Sequence, residues 1–386
     1  MFSNTQSREE RLAAAVQSAQ AARGTPAKSE MDLAISDVKA WTLREPVSKR
    51  AYSVVKIQTR SGLAGFGECA PLTAAELAGA THAVVGQAAT AFEVTAPLLA
   101  NFPTARAALN TAMLDVVGKV AKVPIFQVLG GPTRFKARAL AAVSGDAEES
   151  LVRSVQRGQA AGFRAFLVPV PPAGSSNQGQ AYVQATKKRL ETLRTAAGEG
   201  ADFVLDGGNR LTAGDAQMVS AAVEPLHLMW FNEPCPPNNI SALKKLAGEN
   251  VTPLGVGRHV RDCSEIQDLL REDAVDIIRP DIGLCGISQI RRMAAIAETY
   301  YVAVGPTHDG GPIGTAAALH LAAALPNFFI QQIPLPEAEE DRRMRLELTA
   351  APAEIVKEGF AELPVGPGLG VTVNEQALEK YVERSP

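Results

Sequence analysis

Five polar side chains, Asp206, Glu233, Arg258, Asp281 and His308, each stand just past a short apolar run, and they recur at intervals of roughly 25 residues. The runs are Phe203-Val204-Leu205, Leu228 to Phe231, Pro253 to Val256, Val275 to Ile278 and Tyr301 to Val304. Most are followed by a stretch of helical length. A strand, a helix and two turns use about that many residues, so the spacing predicts successive βα units of a (β/α)8-type barrel. In such a barrel the C-terminal strand ends open onto one face, and five side chains far apart in sequence converge there.

The same alternation extends in both directions. Strands are predicted at 139–143, 165–170, 203–205, 227–231, 253–256, 276–278, 301–304 and 328–331, a full set for a barrel. Helices are predicted at 150–161, 179–196, 213–223, 262–271, 287–300 and 314–325. Ahead of them, 33–43, 52–59 and 63–68 read as strands, the last two joined by the turn Arg60-Ser61-Gly62 into an antiparallel hairpin. Helical signals over 74–99 and 104–119 complete an α+β unit placed to cap the barrel mouth. The expected division is an extension over 1–30, the α+β capping unit over 31–136, the barrel over 137–355 and a C-terminal segment over 356–386 returning to the cap.

A chain of 386 residues, 46% hydrophobic, can bury a large core, and a formal net charge of −3 speaks against nucleic-acid and membrane-surface partners. No apolar run reaches the length of a membrane span. Cys69, Cys235, Cys263 and Cys285 are scattered without a CxxC pair, which reads as free thiols in a reducing cytoplasm rather than a zinc site or disulfide framework.

Asp206 and Glu233 end neighbouring strands, so their carboxylates can share a hard divalent cation such as Mg²⁺; the plainer reading has each capping the next helix or pairing with an arginine. Asp281 and His308 end later strands. A carboxylate on Nδ1 would fix the imidazole tautomer and make His308 a general base near neutral pH. The alternative has His308 held by Asp309 within the polar loop His308-Asp309-Gly310-Gly311, and His259 is the rival base. Arg258 has the wrong charge for a metal ligand.

From Met31 to Leu378 the chain resembles the enolase superfamily, within it the mandelate racemase and muconate lactonizing enzyme group. The resemblance is carried by 53–57 with 62–68, by 107–119 with 123–131, and by Glu233-Pro234, Arg279-Pro280-Asp281, Gly286-Ile287, Gly311-Pro312-Ile313 and Pro367-Gly368-Leu369-Gly370. It implies an α+β capping domain on a modified (β/α)7β TIM-type barrel and, for function, abstraction of the proton α to a carboxylate with Mg²⁺ stabilising the enediolate. Asp206 and Glu233 would be metal ligands, and His308 with Asp281 the catalytic dyad. The third acidic ligand's place is taken by Arg258, and the usual lysine bases by Leu167 and Pro169. The expected activity is that of an acid-sugar dehydratase or racemase, a lyase or isomerase, on a small hydroxy or sugar acid. The alternative is a degenerate member in which Arg258 replaces the metal, binding a small carboxylate or running altered chemistry. Asn209, Arg258 and Arg50 are candidate substrate-binding residues, and a homo-oligomer, dimer or octamer, is expected.

Overall fold

The computed structural model describes residues 31–174 and 177–383; the extension expected over 1–30 lies outside the described residues. Ile35–Arg44 (β1), Ala51–Thr59 (β2) and Ala64–Cys69 (β3) form an antiparallel sheet in that order. Gly62, at φ 87°, turns the chain between the last two. Ala74–Val84 (α1) follows, and Pro103–Ala121 (α2), opened by proline in its first turn, lies across the sheet. The sheet accepts this helix at unusually short range: a Cβ at Gly65 or Gly67 would run into the backbone carbonyls of Ala112 or Ala108. Ile35, Val55, Ile57, Leu109, Met113 and Val116 make the small core between them.

The barrel strands are Lys136–Ala142 (β4), Ala165–Pro169 (β5), Asp202–Asp206 (β6), Phe231–Asn232 (β7), Leu254–Val256 (β8), Ile277–Ile278 (β9), Ala303–Val304 (β10) and Gln331–Gln332 (β11). Neighbours from β4 to β10 pair in parallel, β11 pairs in parallel with β4, and a bridge between Val304 and Phe328 closes the circle. Leu140, Leu167, Val204, Trp230, Ile277 and Ile330 pack together as an inner cluster. Leu167 therefore fills the barrel. Between the strands run Glu148–Ala160 (α3), Gly179–Ala197 (α4), Ala213–Val223 (α5), Ile240–Glu249 (α6), Cys263–Arg271 (α7), Ile282–Glu298 (α8) and Pro312–Ala324 (α9), and Glu339–Leu348 (α10) follows β11. This is the capped (β/α)7β architecture.

The eighth barrel strand, expected at 328–331, is Gln331–Gln332, and three further elements differ from the sequence expectation for local reasons. The fourth barrel strand starts at Phe231, not His227, because Glu224–Leu226 winds into a 3-10 turn and His227 sits in the left-handed region at φ 49°. The helix placed at 287–300 starts at Ile282, where the Asp281 carboxylate caps Gly283, and breaks internally at Gly286, φ 71°, which approaches the backbone of Ala107 in α2. Between β7 and β8, α6 was not foreseen, although Asn239 caps it and Leu243 and Leu246 bury one side.

A hairpin of Val356–Lys357 (β12) and Phe360–Glu362 (β13) adds antiparallel to β4. The chain then returns to the cap: the Gly368 carbonyl accepts from Ile125, Glu375–Tyr381 (α11) contributes a Glu379–Lys39 pair at the surface, and the Glu383 amide donates to Thr42. Among the described residues no helix is long and apolar enough to cross a membrane.

Candidate active site

At the barrel mouth the strand ends place their polar residues as the spacing required, but the bonds among them differ from those expected. Asp206 ends β6 and accepts from the Arg258 Nη2 at 2.9 Å, from the Asn232 Nδ2 at 2.9 Å and from the Gly208 amide at 3.2 Å. Glu233, 1% exposed, follows β7 with a left-handed φ of 44°, a strained setting for a glutamate. Its Oε1 accepts the Gly257 and Arg258 amides at 2.8 and 2.7 Å. Burial works against the Arg258 charge, yet Asp206, then Glu233 and Asp309, outweigh it and hold the guanidinium above its ordinary pKa.

These residues do not fit a divalent cation. One carboxylate is committed to a guanidinium and the other to two backbone amides. Among the described residues, moreover, no group of three or more His, Cys, Asp or Glu side chains is gathered to hold a metal. Two carboxylates and one guanidinium sum to −1, where three carboxylates would give −3. A unit charge about 4 Å from a divalent ion, at an effective dielectric near 20, would oppose it by roughly 8 kcal/mol.

Beneath this pair runs a buried amide and guanidinium network that the sequence reading missed. Arg279, fully buried and stacked over Trp230, donates to the Asn232 Oδ1 at 3.1 Å and the Gln332 Oε1 at 3.0 Å, and Gln332 donates on to Asp309 at 2.9 Å. Burial and then the neighbouring Arg258 charge push the Arg279 pKa down to about 9. The signal available was thin: Arg279 in Arg279-Pro280-Asp281, and the polar pair Gln331-Gln332 after an apolar run.

The expected Asp281–His308 pair is not joined among the described residues. A parallel bridge sets Asp281 opposite Thr307, so Asp281 accepts the Thr307 hydroxyl at 3.2 Å and the Gly283 amide at 2.7 Å. His308, one residue further, turns away and donates from Nε2 to the Gly311 carbonyl at 2.8 Å; its Nδ1 has no partner among the described residues. Nor does Asp309 hold it, being engaged with Gln332. Burial, then the Asp309 charge, pushes Asp281 up to about 7, while burial takes His308 down to about 4.

Asp281 and His308 nevertheless line one cavity of about 220 Å³, roofed by Tyr52, Glu68 and Pro71 from the cap and bordered by Arg258, His259 and Asp309. Two candidate substrate-binding residues lie elsewhere. Arg50 faces the buried Glu45 at 3.7 Å, and Asn209, with a left-handed φ of 61°, donates its amide to the Glu233 carbonyl; neither is among the residues lining the cavity.

Comparison with known proteins agrees with this architecture. Residues 150–377 match the family model for enolase C-terminal domain-like proteins, and residues 42–130 match the mandelate racemase / muconate lactonizing enzyme N-terminal domain. A D-galactonate dehydratase of Ralstonia nicotianae is 29% identical over 73% of this chain and 74% of its own length. A D-xylonate dehydratase of Haloferax volcanii is 28% identical over 71% of this chain and 68% of its own. In structure, an enolase-class protein of Agrobacterium radiobacter solved with sodium and L-malate aligns with a TM-score of 0.82 at 25% identity, covering 91% of this chain and 95% of that one.

Proposed function

The chain belongs to the mandelate racemase / muconate lactonizing enzyme group of the enolase superfamily, and from that premise we propose that it is an acid-sugar dehydratase, a hydro-lyase acting on a small 2,3-dihydroxy carboxylate. The observation that carries this reading is a cavity in which a neutral imidazole, a carboxyl of raised pKa and a partly buried arginine face the same space. The named relatives are dehydratases, which favours dehydration over racemisation and lends no support to a member reduced to binding a carboxylate.

An α-proton is too weakly acidic for a neutral base unless the developing oxyanion is met by positive charge. Arg258 supplies that charge. Its Nε has no partner among the described residues, and Asp206 holds its far end. Nε2 of His308 is committed as a donor, because a carbonyl only accepts, so Nδ1 carries the lone pair and takes the proton from the α-carbon. Asp281, poised near pH 7, gives its proton to the β-hydroxyl, which leaves as water. The resulting enol ketonises: its hydroxyl proton returns to Asp281 and the imidazolium proton goes to the β-carbon, so that one water is lost and both groups are restored. No step runs through a metal.

The test is a panel of aldonic and aldaric acids, beginning with D-galactonate, D-xylonate and D-mannonate, assayed for 2-keto-3-deoxy products with chelator and with Mg²⁺. Turnover that survives the chelator supports the reading. A panel with neither product nor solvent deuterium at the α-carbon overturns it.

A further inference from the structure

The cavity wall holds an ionisable cap residue that has no part in that reaction. Glu68, near the end of β3 in the cap, is 4% exposed and reaches into the barrel mouth. Its two oxygens accept the Gly311 and Gly314 amides, at 3.0 Å for the latter, and so satisfy orphan donors at the N-terminus of α9. Its Oε1 also lies 3.8 Å from Nε2 of His308.

The approach is built into the backbone. A Cβ at Gly310 would fall 2.8 Å from the His308 Cε1, one at Gly314 2.7 Å from the Glu68 Oε1, and one at Gly311 2.7 Å from the Glu68 Oε2. Three glycines within five positions leave room for this carboxylate and this imidazole. Gly311 also links them chemically: its amide donates to Glu68 and its carbonyl receives the His308 proton.

We propose that Glu68 is the positioning carboxylate of His308, so that the base is assembled across the seam between cap and barrel instead of within the barrel. The Gly311 carbonyl holds the imidazole proton on Nε2 and leaves Nδ1 bare, and Glu68, by accepting the Gly311 amide and lying 3.8 Å from Nε2, holds that arrangement in place. When Nδ1 takes a proton, the imidazolium faces the carboxylate. The other charges around the pair come from several elements. Arg345 of α10 opposes the imidazolium, while Glu354 and Asp309 favour it. Arg345 and Glu354 also act on Glu68, and burial, ahead of both, raises that carboxyl to about 7. Tyr52 of β2 and Glu45 complete the surroundings, each within the field of Arg345. The proposal rests on the dehydratase reading for the role of His308, but its test needs no substrate.

The test is ¹⁵N NMR of the imidazoles in histidine-labelled protein, with His308 assigned by His308→Asn. The expected native spectrum is an Nε2–H tautomer whose ring signals respond near pH 7 as Glu68 ionises. Glu68→Gln removes that response; Asp281→Asn leaves it intact. With a substrate in hand, Glu68→Gln lowers kcat by about tenfold or more at little change in KM, and Glu68→Asp recovers part of it. An Nδ1–H tautomer in the native protein overturns the proposal. So does a response lost in Asp281→Asn but kept in Glu68→Gln. Should Glu68→Gln fail to fold, the Asp281→Asn spectrum still decides: a response it keeps belongs to Glu68, and one it loses overturns the proposal. A response that follows Glu68 in a protein that dehydrates no acid would leave this inference standing while the activity fell.

Discussion

Arg258 is the residue at which charge and family disagree, and its replacement separates the possibilities. Arg258→Glu changes the strand-end cluster from −1 to −3, and we expect that variant to bind Mg²⁺ in a calorimetric titration where the native protein shows no heat of binding. Stoichiometric Mg²⁺ on the purified native protein would contradict this. Arg258→Met removes the 2.9 Å bond to a largely buried Asp206, both partners being less than a quarter exposed, and should cost about 2 kcal/mol in chemical denaturation. Four buried titratable groups, three in the cavity wall and His320 in α9 against Phe126, also set opposing pH trends. Glu68 and Asp281, raised to about 7, contribute stability that is full below the ordinary carboxylate range and lost as pH rises through 7. His308 and His320, lowered to about 4, contribute stability present above the ordinary histidine range and lost as pH falls toward 4. The two trends offset each other in the native protein between those limits. In Glu68→Gln one falling term is gone, so its stability should gain relative to native as pH rises from about 4 to 7, read as a difference in urea midpoints across pH. A parallel pair of curves would show that Glu68 does not titrate in this window.

At the scale of elements, what was legible and what was not divides along one line. The strand ends Asp206, Glu233, Asp281 and His308 could be read because each closes an apolar run, and a barrel brings such ends to one face whatever the details. Which of them touch could not be read. A single residue of register, Thr307 opposite Asp281, decides that His308 turns to Gly311 and Glu68, and register between β9 and β10 is fixed by packing beyond either strand. Glu68 itself lies one residue before the end of a cap strand, far from the barrel in sequence, and nothing local marks it as part of the mouth. Arg279 reads locally as a surface cation; its burial depends on Trp230 and Asn232 at β7 and on Gln332 in β11. Some glycines carry the missing information, because Gly65, Gly67, Gly311 and Gly314 mark places where something else comes close. Gly67→Ala is the clearest case in the cap: the added methyl meets the backbone of Ala108, which a helix cannot yield, so about 2–3 kcal/mol should be lost, with α2 displaced from the sheet. A variant as stable as the native protein would mean that α2 has freedom the close packing denies.

For the molecule as a whole, the connection between cap and barrel rests on a buried ionic cluster as well as on the apolar seam. Arg345 of α10, 3% exposed, bonds Glu45 from the loop between β1 and β2, Glu354 from the segment after α10, and the Gly310 carbonyl in the His308 loop. Asp341, from the same helix, accepts the Val47 and Ser48 amides of that cap loop at 2.8 and 2.9 Å. One helix after the last barrel strand therefore fastens the loop that precedes β2, which carries Tyr52 into the cavity roof. Removing one partner of such a cluster is costlier than never having built it, since the largely buried Glu354 would lose its guanidinium and the buried Glu45 would keep only Arg50 at 3.7 Å. Arg345→Met should accordingly destabilise the protein by about 3–5 kcal/mol. The loss should not be uniform. Hydrogen exchange should rise first in the 45–52 loop and in 308–311, while the inner barrel cluster around Leu140 and Trp230 keeps its protection. Equal loss of protection in the loop and in the inner strands would mean that cap and barrel open as one cooperative unit and that Arg345 is no local clamp. A variant with native stability would go further and show that the buried carboxylates take up protons in its place.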